Sequence, residues 1–145
     1  MTEQHFAALH YTNSLGTDLT IRLPENHIWQ GGAETSASGI SFNANIPTEE
    51  IYTAPRADGV DGVVYSTKPL VYNGNVIDTF HLVFKDGKVV EAHAETGDDV
   101  LQKLVAIDEG AGRLGEVASF PTIRPFPYRI SSFMKPYSMK TRRAI

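Results

Sequence analysis

The sequence predicts an α+β chain in which antiparallel hairpins and a β-meander are accompanied by one or two helices. Three observations lead to this prediction: two glycine-containing dipeptides typical of tight hairpin turns, alternating apolar runs beside them, and one apolar stripe of helical period. With 145 residues, 41% of them hydrophobic, the chain is long enough to form the core of one ordinary domain.

A first hairpin is predicted near the start of the chain. Apolar and polar residues alternate from Leu9 to Leu23 around a turn at residues 13–16. On the second strand of this hairpin, Leu19, Ile21 and Leu23 are expected to point to one face.

A three-stranded antiparallel meander is predicted over residues 62–95. Asn73-Gly74 and Asp86-Gly87 both favour two-residue turns, because these residue types tolerate the positive φ that such turns require. The runs that the turns join are rich in β-branched and aromatic residues, and they are Val63–Val71, Val76–Phe84 and Val89–Glu95.

A helix is predicted at about residues 97–107. Thr96 is a candidate N-cap, with Asp99 three residues further on in a variant of the capping box, and the carboxylates of Asp98 and Asp99 favour the positive end of the helix dipole. The apolar stripe consists of Val100, Leu101, Leu104 and Val105. Elsewhere, residues 31–39 have the composition of a loop, residues 40–44 form a short alternating run, and Leu114–Ala118 is typical of a buried segment.

Composition narrows the classes of function. No stretch approaches the roughly 20 apolar residues of a membrane span, and the N-terminus has no secretory pattern. Without cysteine there is neither a disulfide framework nor a thiolate zinc site. We therefore expect a soluble cytoplasmic protein.

The five histidines do not form a recognisable metal motif. If the two-residue turn at Asp86-Gly87 sets an uninterrupted register, His81 pairs with Ala92 and Phe80 pairs with His93. His81 and His93 would then lie on opposite faces and could not share one ion. His5, His10 and His27 lack partners at metal-binding spacing.

Two carboxylates are less ordinary. Glu50 follows Pro47 and precedes an extended pattern, and Glu116 lies among small and apolar residues in LGEVA (114–118). Each is either a solvated glutamate at the end of a strand or a charge that needs a cation, because a buried carboxylate is unfavourable unless it is compensated. The pattern alone leaves both alternatives open.

Several sequence blocks resemble one family. NIPTEE (45–50), DGVVYSTKPL (61–70) and DEGAGRLGEVA (108–118) are similar to blocks of the thermophilic metalloaminopeptidases, the family of aminopeptidase T and aminopeptidase S. LHYTNSLGTDL (9–19) and IWQGG (28–32) fit the same family upstream. The blocks agree in order and spacing and span residues 1–118 almost continuously.

The resemblance implies a partial catalytic domain of a larger enzyme that removes N-terminal residues from peptides. Such enzymes use two divalent ions held by two glutamates, two histidines and an aspartate, and by motif the glutamates fall on Glu50 and Glu116. Carboxylate ligands suit zinc, cobalt, manganese or magnesium. Peptides are the implied partners, with neither nucleic acid nor membrane, and homo-oligomerisation of the intact enzyme is left open.

The chain departs from the family pattern at residue 119. All 17 acidic side chains lie in residues 1–118, and residues 119–145 carry only basic charges scattered among proline and aromatic residues. Basic arms of this kind occur at nucleic acids or anionic membranes or as solvated extensions, but a third interpretation fits better. Shifting the codons of the tail by one frame permits VPYDSPIS…YETLFDENASCH, which is similar to the family's continuation, with its third ligand, a histidine, at position 145.

We therefore interpret residues 119–145 as out-of-frame sequence and residues 1–118 as the family segment. With only Glu50 and Glu116 of the ligand set, the chain is expected not to hold the ions tightly and to be inactive. The alternative is a small non-catalytic β-rich binding or scaffold domain that keeps the fold without the chemistry.

Overall fold

The computed structural model describes residues 5–31, 33–43 and 51–119. Within these ranges the chain forms eleven strands and one helix. In chain order they are β1 (Ala8–Thr12), β2 (Asp18–Arg22), β3 (Gln30–Gly31), β4 (Ala33–Thr35), β5 (Ser41–Asn43), β6 (Ile51–Thr53), β7 (Val60–Tyr65), β8 (Leu70–Tyr72), β9 (Asn75–Lys85), β10 (Lys88–Thr96), α1 (Asp98–Val105) and β11 (Val117–Ser119). The described residues contain no helix that is long and apolar enough to cross a membrane.

The largest sheet is antiparallel and has the order β1-β2-β7-β9-β10, with β8 paired to the early part of β9. The predicted architecture of antiparallel hairpins, a meander and a helix is confirmed in these elements. Two smaller sheets accompany it, β11-β6-β3 and the hairpin β4–β5. Strand β4 lies inside residues 31–39, so the prediction that this segment is all loop is wrong.

The first hairpin is confirmed. Its turn is closed by Asn13, whose Oδ1 accepts the N–H groups of Leu15 at 2.9 Å and Thr17 at 3.0 Å, a local side-chain bond that favours turns. The three apolar residues expected on one face of its second strand and beyond are all buried: Leu19, Ile21 and Leu23.

The meander is confirmed, but its first predicted strand is divided into β7 and β8 at residues 66–69. At this break Ser66 donates its N–H to Phe80 O at 2.8 Å, and Phe80 donates its N–H to Ser66 Oγ at 3.0 Å. Thr79 has φ of 50°, and Pro69 has no N–H to continue a ladder. The chain therefore bends here, and both pieces pair with the long strand β9.

A β-bulge interrupts the pairing of β9 and β10. Val89 pairs with Phe84, but the next pair is Glu91 with Val83, so Val90 is one extra residue on β10. Val89 donates its N–H to Gly112 O at 2.8 Å, outside the ladder. Beyond the bulge, every residue of β10 is shifted by one position relative to an uninterrupted hairpin.

The helix is shorter than predicted and is capped differently. Thr96 is the last residue of β10, and the N-cap is Gly97, which has φ of 73° and forms no side-chain cap bond. The prediction of Thr96 as N-cap is therefore wrong. A Cβ at position 97 would lie 2.5 Å from Val76 O, so the close approach of β9 and the left-handed backbone both favour glycine.

The main core lies between α1 and the large sheet. Leu101 and Leu104 of the predicted stripe are buried against strand residues that include Ile77 and Phe84. Ile77 and Val60 are the most completely buried of the large side chains in the described residues. Residues 120–145, which belong to the segment interpreted as out-of-frame sequence, lie outside the described residues, so that interpretation stays a prediction.

Candidate metal centre

Glu116 immediately precedes β11 and is half-buried. Leu114, Val117 and Ala118 beside it are buried, as the pattern of this segment predicted. Strand β11 pairs with β6 in antiparallel register, with Val117 opposite Thr53. The structure therefore places Glu116 immediately before a strand of the small sheet.

Strand β6, which follows Glu50 in the sequence, is the central strand of the same sheet. Its other neighbour is β3, with Gln30 opposite Tyr52. Thr53, only 5% exposed, donates its hydroxyl to Ile28 O at 2.9 Å, which fastens β6 to the segment before β3. Pairing on both sides fixes the backbone of β6.

Glu50 itself lies outside the described residues. If both glutamates bind one pair of ions, as the resemblance implies, their carboxylates approach each other, and this stays a prediction. Residues that adjoin the two glutamates are described: Ile51 faces Ser119 at one end of the β6–β11 ladder, and Val117 faces Thr53 at the other. In the sequence, Glu50 and Glu116 therefore adjoin opposite ends of this ladder.

The prediction that His81 and His93 lie on opposite faces is wrong. The bulge at Val90 shifts the register, so His93 is directly opposite His81, and directly paired residues share a face. Their ring centroids are 5.9 Å apart at an interplanar angle of 65°. Tyr65, the partner of His81 on β7, stacks on His81 with centroids 5.1 Å apart.

His27 is a buried polar residue that sequence reasoning passed over. It is 6% exposed, and its Nδ1 lies 2.9 Å from Pro24 O. Because a carbonyl only accepts, Nδ1 carries the proton of the neutral ring and Nε2 carries the lone pair. Its ring packs edge-on against those of His5 and Trp29, at 6.5 and 6.3 Å between centroids. His27 differs from an ordinary surface histidine in being buried, and a single histidine in a turn-like sequence gives no sign of this.

Across residues 5–31, 33–43 and 51–119, no group of three or more His, Asp or Glu side chains is arranged to hold a metal ion. The described part of the chain thus contains Glu116, one of the two expected ligands, but no complete ligand set.

Charge elsewhere in the described residues supports structure. The Asp86 N–H and the Arg22 guanidinium, at 2.9 and 2.6 Å, both bind the Asp61 carboxylate and lower its pKa. Arg56 likewise lowers the pKa of Asp58 through its guanidinium hydrogen bonds. These groups fasten the Asp86-Gly87 turn and the loop before β7 rather than forming a ligand set.

Comparison with known proteins gives a consistent result. Residues 1–125 match the family described as thermophilic metalloprotease (M29). Aminopeptidase AmpS of Bacillus subtilis is 54% identical over 125 residues, which is 86% of this chain and 30% of that protein. Aminopeptidase T of Thermus aquaticus is 46% identical over the same shares of both chains.

The fold agrees as well. The solved structure of wild-type AmpT from Thermus thermophilus superposes with a TM-score of 0.78 at 45% identity, covering 83% of this chain and 30% of that one. The chain therefore spans about 30% of the length of these relatives. Family match, sequence identity and fold together show that the chain belongs to the thermophilic metalloprotease family, whose named relatives are aminopeptidases.

Proposed function

We propose that residues 1–118 are part of the catalytic domain of a metalloaminopeptidase, and that Glu50 and Glu116 are ligands of its pair of divalent ions. The observation that supports this most directly is the pairing of β6 with β11. It joins, in one small sheet, the strand that follows Glu50 and the strand that follows Glu116. These segments are 66 positions apart in the sequence.

The environment of Glu116 fits a cation ligand. Glu116 is half-buried beside buried apolar residues, and a cation would compensate whatever part of its charge is withdrawn from water. Oxygen ligands are those that zinc, manganese, cobalt or magnesium accept. The residues present are consistent with the metal that the family implies, although they form only part of its ligand set.

The pair of divalent ions that the family implies, when bound, would activate water and polarise the scissile carbonyl. The role proposed for the chain is to hold Glu116 rigidly through the β6–β11 pairing.

The 145-residue chain is expected to be inactive. We propose that it lacks the remaining ligands because residues 119–145 are translated out of frame. Sequencing the DNA across codons 115–125 tests this directly. The proposal is supported if the DNA shows a single inserted or deleted base after which another reading frame encodes the family's continuation. It is contradicted if no alternative frame downstream encodes that continuation.

The activity test uses the intact protein with its reading frame restored. Hydrolysis of an aminoacyl-p-nitroanilide should require added zinc, cobalt, manganese or magnesium. Loss of a ligand exceeds the 10–100-fold effect of removing an outer-shell partner, so Glu116→Gln should lower kcat/KM by more than about 100-fold. Glu109→Gln, a matched change of an exposed glutamate in the same segment, should retain activity. Equal activity of the two variants would refute the ligand role of Glu116.

The scaffold alternative predicts a different outcome. A non-catalytic domain would remain without peptidase activity after the frame is restored and metal is added. The cytoplasmic location of the intact protein stays a prediction, and its homo-oligomerisation stays open.

A further inference from the structure

The bulge at Val90 creates an arrangement on the large sheet that the peptidase proposal does not use. His81 on β9 and His93 on β10 are directly opposite each other on one face. Their rings are 5.9 Å apart between centroids. The 5.9 Å between the centroids is within the span that one ion can bridge, because the centroid of a bound imidazole lies about 3 Å from the ion.

Each ring also faces a carboxylate. His81 Nε2 lies 3.3 Å from Glu91 Oε1, and His93 Nδ1 lies 3.4 Å from Asp98 Oδ1. Asp98 is held in place because its Oδ1 also accepts the Ala94 N–H at 2.8 Å. The Asp98 carboxylate is therefore a fixed neighbour of the histidine pair.

The contact of His81 Nε2 with Glu91 Oε1 meets hydrogen-bond geometry. An ionised carboxylate only accepts hydrogen bonds, so we assign the ring proton of His81 to Nε2 and the lone pair to Nδ1. His93 Nδ1 lies beside the Asp98 carboxylate at 3.4 Å, so we assign the lone pair of His93 to Nε2. Metal-binding histidines have this arrangement, in which one ring N–H is directed to a carboxylate and the other nitrogen binds the ion.

We propose that His81 and His93 form a two-imidazole chelate for a borderline dication such as Zn²⁺, Ni²⁺ or Cu²⁺. Imidazole nitrogens prefer ions of this class. No larger ligand group occurs among the described residues, so solvent completes the coordination, and Glu91 and Asp98 act as positioning residues. The stacking of Tyr65 on His81 restrains that ring before an ion arrives.

The test titrates the 145-residue chain with Ni²⁺ by isothermal titration calorimetry. His93→Ala removes an exposed ligand without opening a core cavity, and Ni²⁺ affinity should fall at least about tenfold, as expected for a change at least as severe as loss of an outer-shell partner. His10→Ala is the matched control. His10 also faces a carboxylate, with Nε2 2.7 Å from Asp18 Oδ1, but pairs across strands with Thr20 rather than with a histidine. The Ni²⁺ affinity of His10→Ala should equal that of the unmodified chain.

Two further measurements make the result decisive. Cu²⁺ should broaden the NMR signals of His81 and His93 before that of His10, which localises the ion even if a variant folds poorly. Glu116→Gln should leave Ni²⁺ affinity unchanged, so this outcome is independent of the peptidase proposal. Unchanged affinity in His93→Ala, or loss of binding in Glu116→Gln alone, would overturn the two-imidazole site.

Discussion

The two hairpin turns of the meander have equal length and nearly equal glycine conformations, but their surroundings differ. Gly74 has φ of 80° and Gly87 has φ of 76°, as two-residue turns require. A Cβ at position 74 would meet nothing within 4 Å, whereas one at position 87 would lie 1.9 Å from Ala57 O. The first turn is open to solvent and the second is docked on the loop before β7.

The difference continues into the strands. The open turn leads into an uninterrupted ladder, with Tyr72 opposite Asn75 and Leu70 opposite Ile77. At the docked turn, other segments bind the backbone: Gly87 donates its N–H to Val60 O, and Val89 donates its N–H to Gly112 O. We attribute the bulge at Val90 to these competing contacts. Local turn chemistry therefore predicts where a hairpin forms, while tertiary contacts set its register and the faces of its side chains.

Paired glycine substitutions should show the largest difference between the turns. In Gly74→Ala only the left-handed backbone is penalised, by about 1–2 kcal/mol. Gly87→Ala adds a collision with a backbone carbonyl, and overpacking of this kind adds about 1–3 kcal/mol. Urea unfolding of both variants measures the free energies, and equal losses would show that the second turn is not docked.

Engineered disulfides test the register set by the bulge. The chain has no cysteine, so H81C combined with H93C should form a cross-strand disulfide under mild oxidation and stabilise the chain by up to about 3 kcal/mol. H81C combined with A92C, the pair of an uninterrupted hairpin, should oxidise poorly. Efficient oxidation of the second pair instead of the first would show that the strands pair without the bulge.

The acid dependence of stability should reveal the docking contact itself. Because hydrogen bonds from Asp86 N–H and Arg22 lower the pKa of Asp61, its contribution to stability is present above the ordinary pKa of 3.8 and is lost as pH falls through the lowered pKa. Asp61→Asn should therefore lower Tm at neutral pH, with the deficit shrinking under more acidic conditions. Glu109→Gln, which alters an exposed carboxylate outside this contact, is the control. A deficit independent of pH would contradict this explanation.

Much of the large sheet could be predicted from sequence because its signals are local. The turns at Asn73-Gly74 and Asp86-Gly87 and the helical stripe with Leu101 and Leu104 each lie within a few residues. Val90 gave no such signal, because its extra position follows from contacts with distant segments. The N-cap was missed for a similar reason, since the approach of Val76 to Gly97 is tertiary.

The candidate metal centre was predicted by another route. Glu116 gave only an ambiguous local pattern, and its assignment came from family blocks in order and spacing. The pairing of β6 with β11 joins segments far apart in sequence, which hydrophobic alternation does not match to one another. By contrast, His81 and His93 are near neighbours across one turn, and a single bulged residue reversed their predicted relation.

Metal analysis of the intact, frame-restored protein tests the role of Glu116 most directly. Performed in a His93→Ala background, which removes the proposed two-imidazole site, the measurement counts ions at the family centre alone. We expect two divalent ions per chain in this background and in its Glu109→Gln derivative, and a loss of bound metal in the Glu116→Gln derivative. Full metal content in Glu116→Gln would contradict the assignment of Glu116 as a ligand.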